Sequence, residues 1–383
     1  MKKTSNTVKK IVIVGAGPIG CYCGQLLKEY GFDPLILEEH AEVGKPVSCA
    51  GIVGKNVFDD MQMAVSKDSI INTIDGAKIS YDTSAFLLKR PGVAYIIDRE
   101  KFDKNLSKGL RIEYNTRFLE VHKEGPGYTL TTSNGEYYAD VVIGADGPNS
   151  RVRKAFAFAS NMKLYKGLQY RIKHEIADKD RVEVSYEKPF SLFTWLIPEG
   201  NGIIRIGTIS DRPLQQIEDF IKRKDLADKE IVEKNSGPIP IGTCQMIKNN
   251  SVALVGDAAC QIKPITSGGI YYGMKSAEIL ARAIKENDLS YYERTWNEEF
   301  GQEIKFCLLA RFTMEDMSSD VLAKVFDFVK ENSTIVEKVG DFENHSTVLW
   351  SLITSKRTYS TIGSVMMDVL KKPKTLVRLL RRK

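Results

Sequence analysis

The stretch Ile11-Val-Ile-Val-Gly15-Ala-Gly17-Pro-Ile19-Gly20-Cys-Tyr-Cys-Gly24, followed by Leu35-Ile-Leu-Glu38, restricts this chain more than any other part of it. Four apolar residues predict a buried strand running into G-x-G-x-x-G. An amphipathic helix follows, then a second strand that ends in an acid. Each glycine has its own task in that context. Gly15 permits the tight turn, Gly17 lets the backbone approach a pyrophosphate, and Gly20 lets the helix pack close to the strand. Gly24, one turn later, extends the close-packing face. The unpaired N–H groups at the helix start, around Ile19, and the positive end of its dipole suit phosphates. Glu38, 18 residues after Gly20, stands where a carboxylate meets a ribose hydroxyl. These features predict a dinucleotide-binding βαβ unit.

A chain of 383 residues divides into two or three domains. No apolar run reaches the roughly 18 residues that span a bilayer, and the Lys-rich start has no signal-peptide apolar core. A cytoplasmic protein is expected. The charge is uneven, however. The last thirteen residues, Lys371–Lys383, carry seven of the positive charges and no acid, whereas the whole chain sums to +6. Leu376, Leu379 and Leu380 fall at helical spacing among these basic residues. Such a basic amphipathic tail suits an anionic membrane surface and predicts peripheral association. A solvated, frayed terminus is the other reading of the tail. No basic patch interleaved with aromatics accompanies it, so nucleic acid is not expected. The six cysteines contain no C-x-x-C pair and the four histidines are scattered, so no metal or iron–sulfur site is read. Cys21 and Cys23, two apart on a helix, are expected to be small packing residues.

Further along, Asp140-Val-Val-Ile-Gly144-Ala-Asp146-Gly147 reads as a second buried strand and turn. From about 163 to 210 the pattern changes to period-two alternation, as in Leu168/Tyr170/Ile172, Val182/Val184/Tyr186 and Phe193/Trp195/Ile197. This predicts an antiparallel sheet with one polar face. The α/β pattern returns at Ser251-Val-Ala-Leu-Val-Gly256-Asp257. The remainder is helical by period, with Phe306, Leu309, Ala310 and Phe312 expected on one face. The expected fold class is α/β: a Rossmann-like dinucleotide-binding domain with an inserted antiparallel sheet and a C-terminal helical region. The boundaries are 9–80, 93–160 and 249–300 for the first, 81–92 and 161–248 for the sheet, and 301–383 for the helices.

Four motifs in this order resemble the FAD-binding group that contains the aromatic-ring hydroxylases, of para-hydroxybenzoate-hydroxylase type, and the geranylgeranyl reductases. They are the opening fingerprint, Arg99-x-x-Phe102-Asp103-x-x-Leu106, Gly144-Ala-Asp146-Gly147-x-x-Ser150-x-Val-Arg153 and Gly256-Asp257-Ala-Ala259. The resemblance implies FAD, and with it a first domain that is an FAD-binding, Rossmann-like domain of glutathione-reductase type. It places Arg99, Phe118, Asp146 and Gly147 on the cofactor, Asp257 on a ribityl hydroxyl, and the backbone of Gly269 and Ile270 at the flavin N1/C2=O edge. A helix dipole there suits the negative charge of reduced flavin. Within the group, Pro264-Ile-Thr-Ser267-Gly268-Gly269-Ile270 and Lys45-Pro46-Val-Ser-Cys49-Ala50-Gly51 are similar to geranylgeranyl reductase motifs. The archaeal digeranylgeranylglycerophospholipid reductases belong there. Ser267 and Gly273 depart from the first motif. Phe193, Ile197 and Glu199 depart from the sheet motif Y-x-W-x-F-P-K-G.

The resemblance implies reduction of isolated C=C bonds in polyprenyl chains, with hydride leaving flavin N5. Phe193, Trp195 and Ile197 would line an apolar tunnel for the lipid, or else form plain sheet core. Cys49 is the candidate catalytic side chain, beside the flavin with Ala50 and Gly51. A thiol with pKa of about 8.5 is a poor acid toward an alkene, which points to positioning. No second dinucleotide fingerprint is present, so a tightly held NAD(P)H is not expected, and the electron donor is transient NAD(P)H or a ferredoxin-like protein. A flavin monooxygenase of an apolar or aromatic substrate, or a membrane-associated electron-transfer flavoprotein, are the alternatives.

Overall fold

The structure, a computed structural model, describes residues 9–186 and 193–354. The basic segment 371–383 lies outside the described residues. Ile11–Val14, buried at every position, pairs in parallel with Val141–Gly144 on one side and Leu35–Leu37 on the other. Val252–Leu254 and Arg111–Glu113 extend this sheet in parallel, and Ile247–Lys248 closes one edge antiparallel. Strands covered on both faces need apolar residues at every position, and four-residue runs such as Val141–Gly144 supply them.

Pro18 opens the first helix, Pro18–Glu29, where its missing N–H costs nothing. Gly31, at φ +85°, ends it in the left-handed conformation that an L side chain avoids. Cys21 and Cys23 are fully buried packing residues, as expected. The helix packs against Arg99–Ser107 and Ile270–Lys285.

The second sheet has eight strands. From one edge they are Ile231–Ile241, Lys163–Lys173, Ile203–Ile209, Phe193–Gly200, Arg181–Tyr186, Ile70–Tyr81, Ser84–Ile97 and Ile52–Gly54. Three differences from expectation stand out. Residues 52–54, 70–80 and 93–97, expected in the dinucleotide-binding unit, pair in this sheet instead. The long hairpin turning at Asp82, φ +53°, carries them there. One pair, Arg181–Tyr186 with Ile70–Tyr81, is parallel. The expected polar face is also missing at the centre, where Phe193–Gly200 and Ile203–Ile209 are buried on both sides. Tyr170, Leu196, Ile204 and Ile206 pack on the helix Pro213–Arg223 through Ile217, Phe220 and Ile221, whereas the opposite face turns inward. A small antiparallel sheet, Phe118–Glu124, Gly127–Thr132 and Gly135–Ala139, completes the strands among the described residues.

Among the described residues, helices Gly301–Asp316, Ser319–Glu331, Ser333–Val339 and Ser346–Ile353 follow toward the C-terminus. Leu322 and Phe326 pack on Tyr81, with Ile79 and Phe86 alongside, and seat the helices on the eight-stranded sheet. The Glu303 carboxylate accepts the N–H groups of His345, at 2.8 Å, and Ser346, capping the start of Ser346–Ile353 from a neighbouring helix. Phe306 and Leu309 do not share a buried face with Phe312. Ile304, Leu308 and Phe312 turn inward while Leu309 is 41% exposed. No described helix is long and apolar enough to cross a membrane.

Candidate active site

The glycine loop is built to be approached. A Cβ on Gly15 would lie 2.5 Å from the Ala145 carbonyl oxygen, and one on Gly20 would lie 2.0 Å from the Gly15 oxygen. Gly17 has nothing within 4 Å. The first two glycines therefore close the turn on protein, and the third leaves open space in front of a helix start that no side chain caps. That opening has the shape and the donors for a pyrophosphate. Glu38, almost buried, accepts the Ala16 N–H at 2.8 Å and both the N–H and Nδ1 of His40. These contacts hold its carboxylate beneath the loop, at the wall of the same cleft.

Asp146 takes a different part from a direct ligand contact alone. Its oxygens accept Ser150 Oγ at 2.6 Å and the N–H groups of Arg151 and Val152, so it caps the helix Arg151–Ala155. Burial raises its pKa despite these bonds. Arg153 spans from there to the Ala258 carbonyl at 2.9 Å, tying this turn to the one that carries Asp257.

Arg99 and Asp103 form a two-pronged pair at 3.1 and 2.9 Å. Burial opposes the Arg99 charge, but the Asp103 carboxylate and the nearby Cys49 side chain raise its pKa overall. Asp257 lies deep in the same region. Burial pushes its carboxyl up to about 6, and the nearby Arg99 charge works in the other direction. A Cβ on Gly269 would stand 2.7 Å from Asp257 Oδ1, so this glycine is required for the carboxyl to sit against the start of Ile270–Lys285. That helix start has no side-chain cap either.

Cys49 stands at the junction between this cleft and the eight-stranded sheet. Its sulfur accepts the Gly51 N–H at 3.3 Å. Its carbonyl accepts Gln169 Nε2 at 3.1 Å, and the Ala50 carbonyl accepts Arg205 Nη1 at 2.7 Å. Gln169 Oε1 in turn accepts the Trp195 indole N–H at 3.0 Å. Arg205 donates to Glu199 Oε2 at 2.7 Å, and Arg171 grips both oxygens of that carboxylate. Burial alone would raise the Glu199 pKa, but the two guanidiniums bring it below the usual range.

One cavity of about 1060 Å³ joins these parts. It runs from Gly15, Gly17 and Glu38, past Cys49, Arg99, Asp257, Gly269 and Ile270, onto Phe193, Trp195 and Ile197. Ile19, Ala50, Phe118, Asp146 and Gly147 also border it. Gly20 and Gly51 do not. Gly20 is packed beneath the loop, and a Cβ on Gly51 would meet Arg205 Nη1 at 1.9 Å behind it. Beyond Trp195 the cavity becomes an apolar arm between the sheet and the C-terminal helices, bounded by Val184, Phe326, Val329, Val348 and Leu352.

The family model described as an FAD binding domain matches residues 9–287. The chain is 30% identical to digeranylgeranylglycerophospholipid reductase 2 of Methanococcoides burtonii, over 81% of this chain and 86% of that protein. The chain belongs to the digeranylgeranylglycerophospholipid reductase family. A second member, from Methanosarcina acetivorans, is 27% identical over 89% of this chain and 95% of its own length. In fold, this chain matches a geranylgeranyl bacteriochlorophyll reductase-like protein from Thermoplasma acidophilum with a TM-score of 0.81. That match covers 95% of this chain and 98% of the other, at 24% identity. As a reductase of this family it is an FAD-dependent oxidoreductase, and the open space before Gly17 with its uncapped donors fits the pyrophosphate of FAD.

Four residues of the site escape sequence reasoning. Besides Gln169 and Arg205, Lys263 and Glu343 form a deeply buried ion pair at 3.0 Å on the cavity wall, beside Gly268. Lys263 Nζ also donates to the Phe342 carbonyl at 2.8 Å and lies over its ring. His345 is close by, its pKa pushed down to about 3 by burial and by the Lys263 charge. A lysine between Ile262 and Pro264 is the one local signal for this cluster.

Proposed function

We propose that the protein saturates isolated C=C bonds in the geranylgeranyl chains of an archaeal-type membrane lipid. The observation that carries this reading is the continuity of one cavity from the glycine loop, through the Cys49 junction, into an apolar arm. FAD held in this cavity would, when reduced, provide a hydride for one alkene carbon, and a proton would complete the addition at the other.

An unactivated alkene offers no carbonyl to polarise, so the protein's part is to hold it in register and keep water out. Phe193, Trp195 and Ile197 floor the arm and grip the chain through apolar contact. Gln169 and Arg205 hold the main chain of the Cys49-Ala50-Gly51 loop, which gives Cys49 a set position at the junction. Cys49 positions the double bond. Arg99, Asp257 and the start of Ile270–Lys285 hold the flavin end, and Gly15, Gly17, Glu38 and Phe118 hold the nucleotide end. Reducing equivalents come from NAD(P)H or a ferredoxin-like protein. The basic segment 371–383 keeps the enzyme on the membrane that holds its substrate.

The test is product mass. Protein reduced under argon and given a geranylgeranyl lipid yields product heavier by two hydrogens per double bond. A product that forms only after O₂ is admitted and carries added oxygen overturns the proposal in favour of a monooxygenase.

A further inference from the structure

The last described helix, Ser346–Ile353, is apolar on nearly every side: Val348, Leu349, Trp350, Leu352 and Ile353 share eight residues with two serines and a threonine. A helix of this kind belongs in an enclosed setting. It is enclosed on one side only. Val348, Leu349 and Leu352 border the apolar arm. Trp350 and Ile353 are 60% and 41% exposed. Phe306 of the neighbouring helix meets the Trp350 ring edge-on at 5.7 Å, and Leu309, one turn beyond Phe306, is 41% exposed. Two helices thus present one outward apolar patch, separated from the arm by the width of a single helix.

Scattered apolar side chains on a surface need no explanation. This patch differs in its composition, its position and the charge of the chain beyond it. It contains a tryptophan, whose ring suits the boundary between lipid head groups and chains. It backs directly onto the apolar arm of the cavity. The chain continues from it into 355–383, whose final thirteen residues carry seven positive charges and no acid.

We propose that the patch of Phe306, Leu309, Trp350 and Ile353 docks on an anionic phospholipid surface. The helix Ser346–Ile353 is then the wall past which a lipid chain moves between the bilayer and the apolar arm. The proposal rests on the reading of that arm as a polyprenyl-lipid pocket. A few inserted side chains alone, or a basic segment alone, give weak and reversible membrane binding, and the two together anchor. The patch supplies the apolar component that the basic tail lacks.

The experiment uses the full-length, FAD-loaded chain with Trp350→Ser and Ile353→Ser combined, against phosphatidylglycerol/phosphatidylcholine vesicles. Both residues lie outside the cavity wall, so FAD content and turnover of a detergent-dispersed geranylgeranyl lipid stay as in the wild type. Vesicle partitioning drops by about tenfold. The emission component that Trp350→Ser removes is quenched by acrylamide in buffer and becomes blue-shifted and protected on vesicles. Unchanged partitioning overturns the proposal. So does a Trp350 signal already protected without vesicles, which would mean that 355–383 or a second copy covers the patch. If partitioning falls as expected but neither protein turns over the dispersed lipid, docking stands and the reading of the arm fails.

Discussion

The side-chain amide of Gln169 donates to the Cys49 carbonyl across 3.1 Å, while its oxygen accepts the Trp195 indole N–H at 3.0 Å. One amide thus spaces the junction residue from the floor of the apolar arm. Gln169→Leu leaves a buried indole N–H and a carbonyl unpaired, at a cost of about 1–3 kcal/mol each. The expected result is a fall in turnover with FAD content near normal. Cys49→Ala should act at the same step, also with normal FAD content. Steady-state kinetics alongside flavin absorbance checks both, and full turnover in Cys49→Ala would remove that residue from the reaction.

Gly17→Ala separates binding from folding. Its added methyl meets no protein atom within 4 Å, so the apoprotein should melt as the wild type does. The methyl occupies the space before the helix start, and FAD affinity should weaken by about tenfold or more. Gly20→Ala, with its Cβ 2.0 Å from the Gly15 oxygen, should instead destabilise the fold itself. Calorimetry of the apoproteins and FAD titration distinguish the two.

Gly207 lies under the indole of Trp195, where a Cβ would come within 2.2 Å of the ring. Gly207→Ala pushes the ring toward the arm. KM for the lipid should rise, with FAD content and flavin spectrum unaltered.

The Lys263–Glu343 pair predicts a strongly non-additive cycle. Glu343→Gln strands a buried ammonium and should cost about 3–5 kcal/mol. Lys263→Met with Glu343→Leu should recover most of that loss. Denaturant unfolding of the single and double variants measures the difference.

Asp257 gives a pH signature. Its folded pKa of about 6 lies above the ordinary carboxyl value, so between about pH 4 and 6 the folded state binds more protons than the unfolded. Stability attributable to this group is therefore present at low pH and lost as pH rises through that window, by about 3 kcal/mol. The apoprotein of Asp257→Asn lacks this loss, so it should gain on the wild type between about pH 4.5 and 7. Equal differences at both pH values would contradict the assignment.

The parts legible in the sequence are those whose chemistry is local. Gly15, Gly17 and Gly20 lie within six residues, and one strand and one helix suffice to place them. Asp257 and Gly269 are likewise carried by one loop. The Lys263–Glu343 pair joins positions 80 residues apart, and nothing in either neighbourhood announces the other. Gln169 and Arg205 act on main-chain carbonyls, which every residue possesses, so the partners carry no signature. Ile70–Tyr81 and Ser84–Ile97 straddle the expected domain boundaries because a strand alternating in polarity does not say which sheet it joins. The buried centre of the eight-stranded sheet has the same origin. Polar positions such as Arg205 there and Gln169 on the adjoining strand face into the protein and meet partners rather than water.

The most direct measurement tracks the flavin itself. Enzyme reduced anaerobically with dithionite, freed of excess reductant and mixed with a geranylgeranyl lipid in a stopped-flow instrument should regain its oxidised absorbance in the absence of O₂. The recovery should match one double bond saturated per flavin. A flavin that stays reduced with lipid present, and reoxidises only when O₂ enters, would contradict the account of a lipid-saturating reductase.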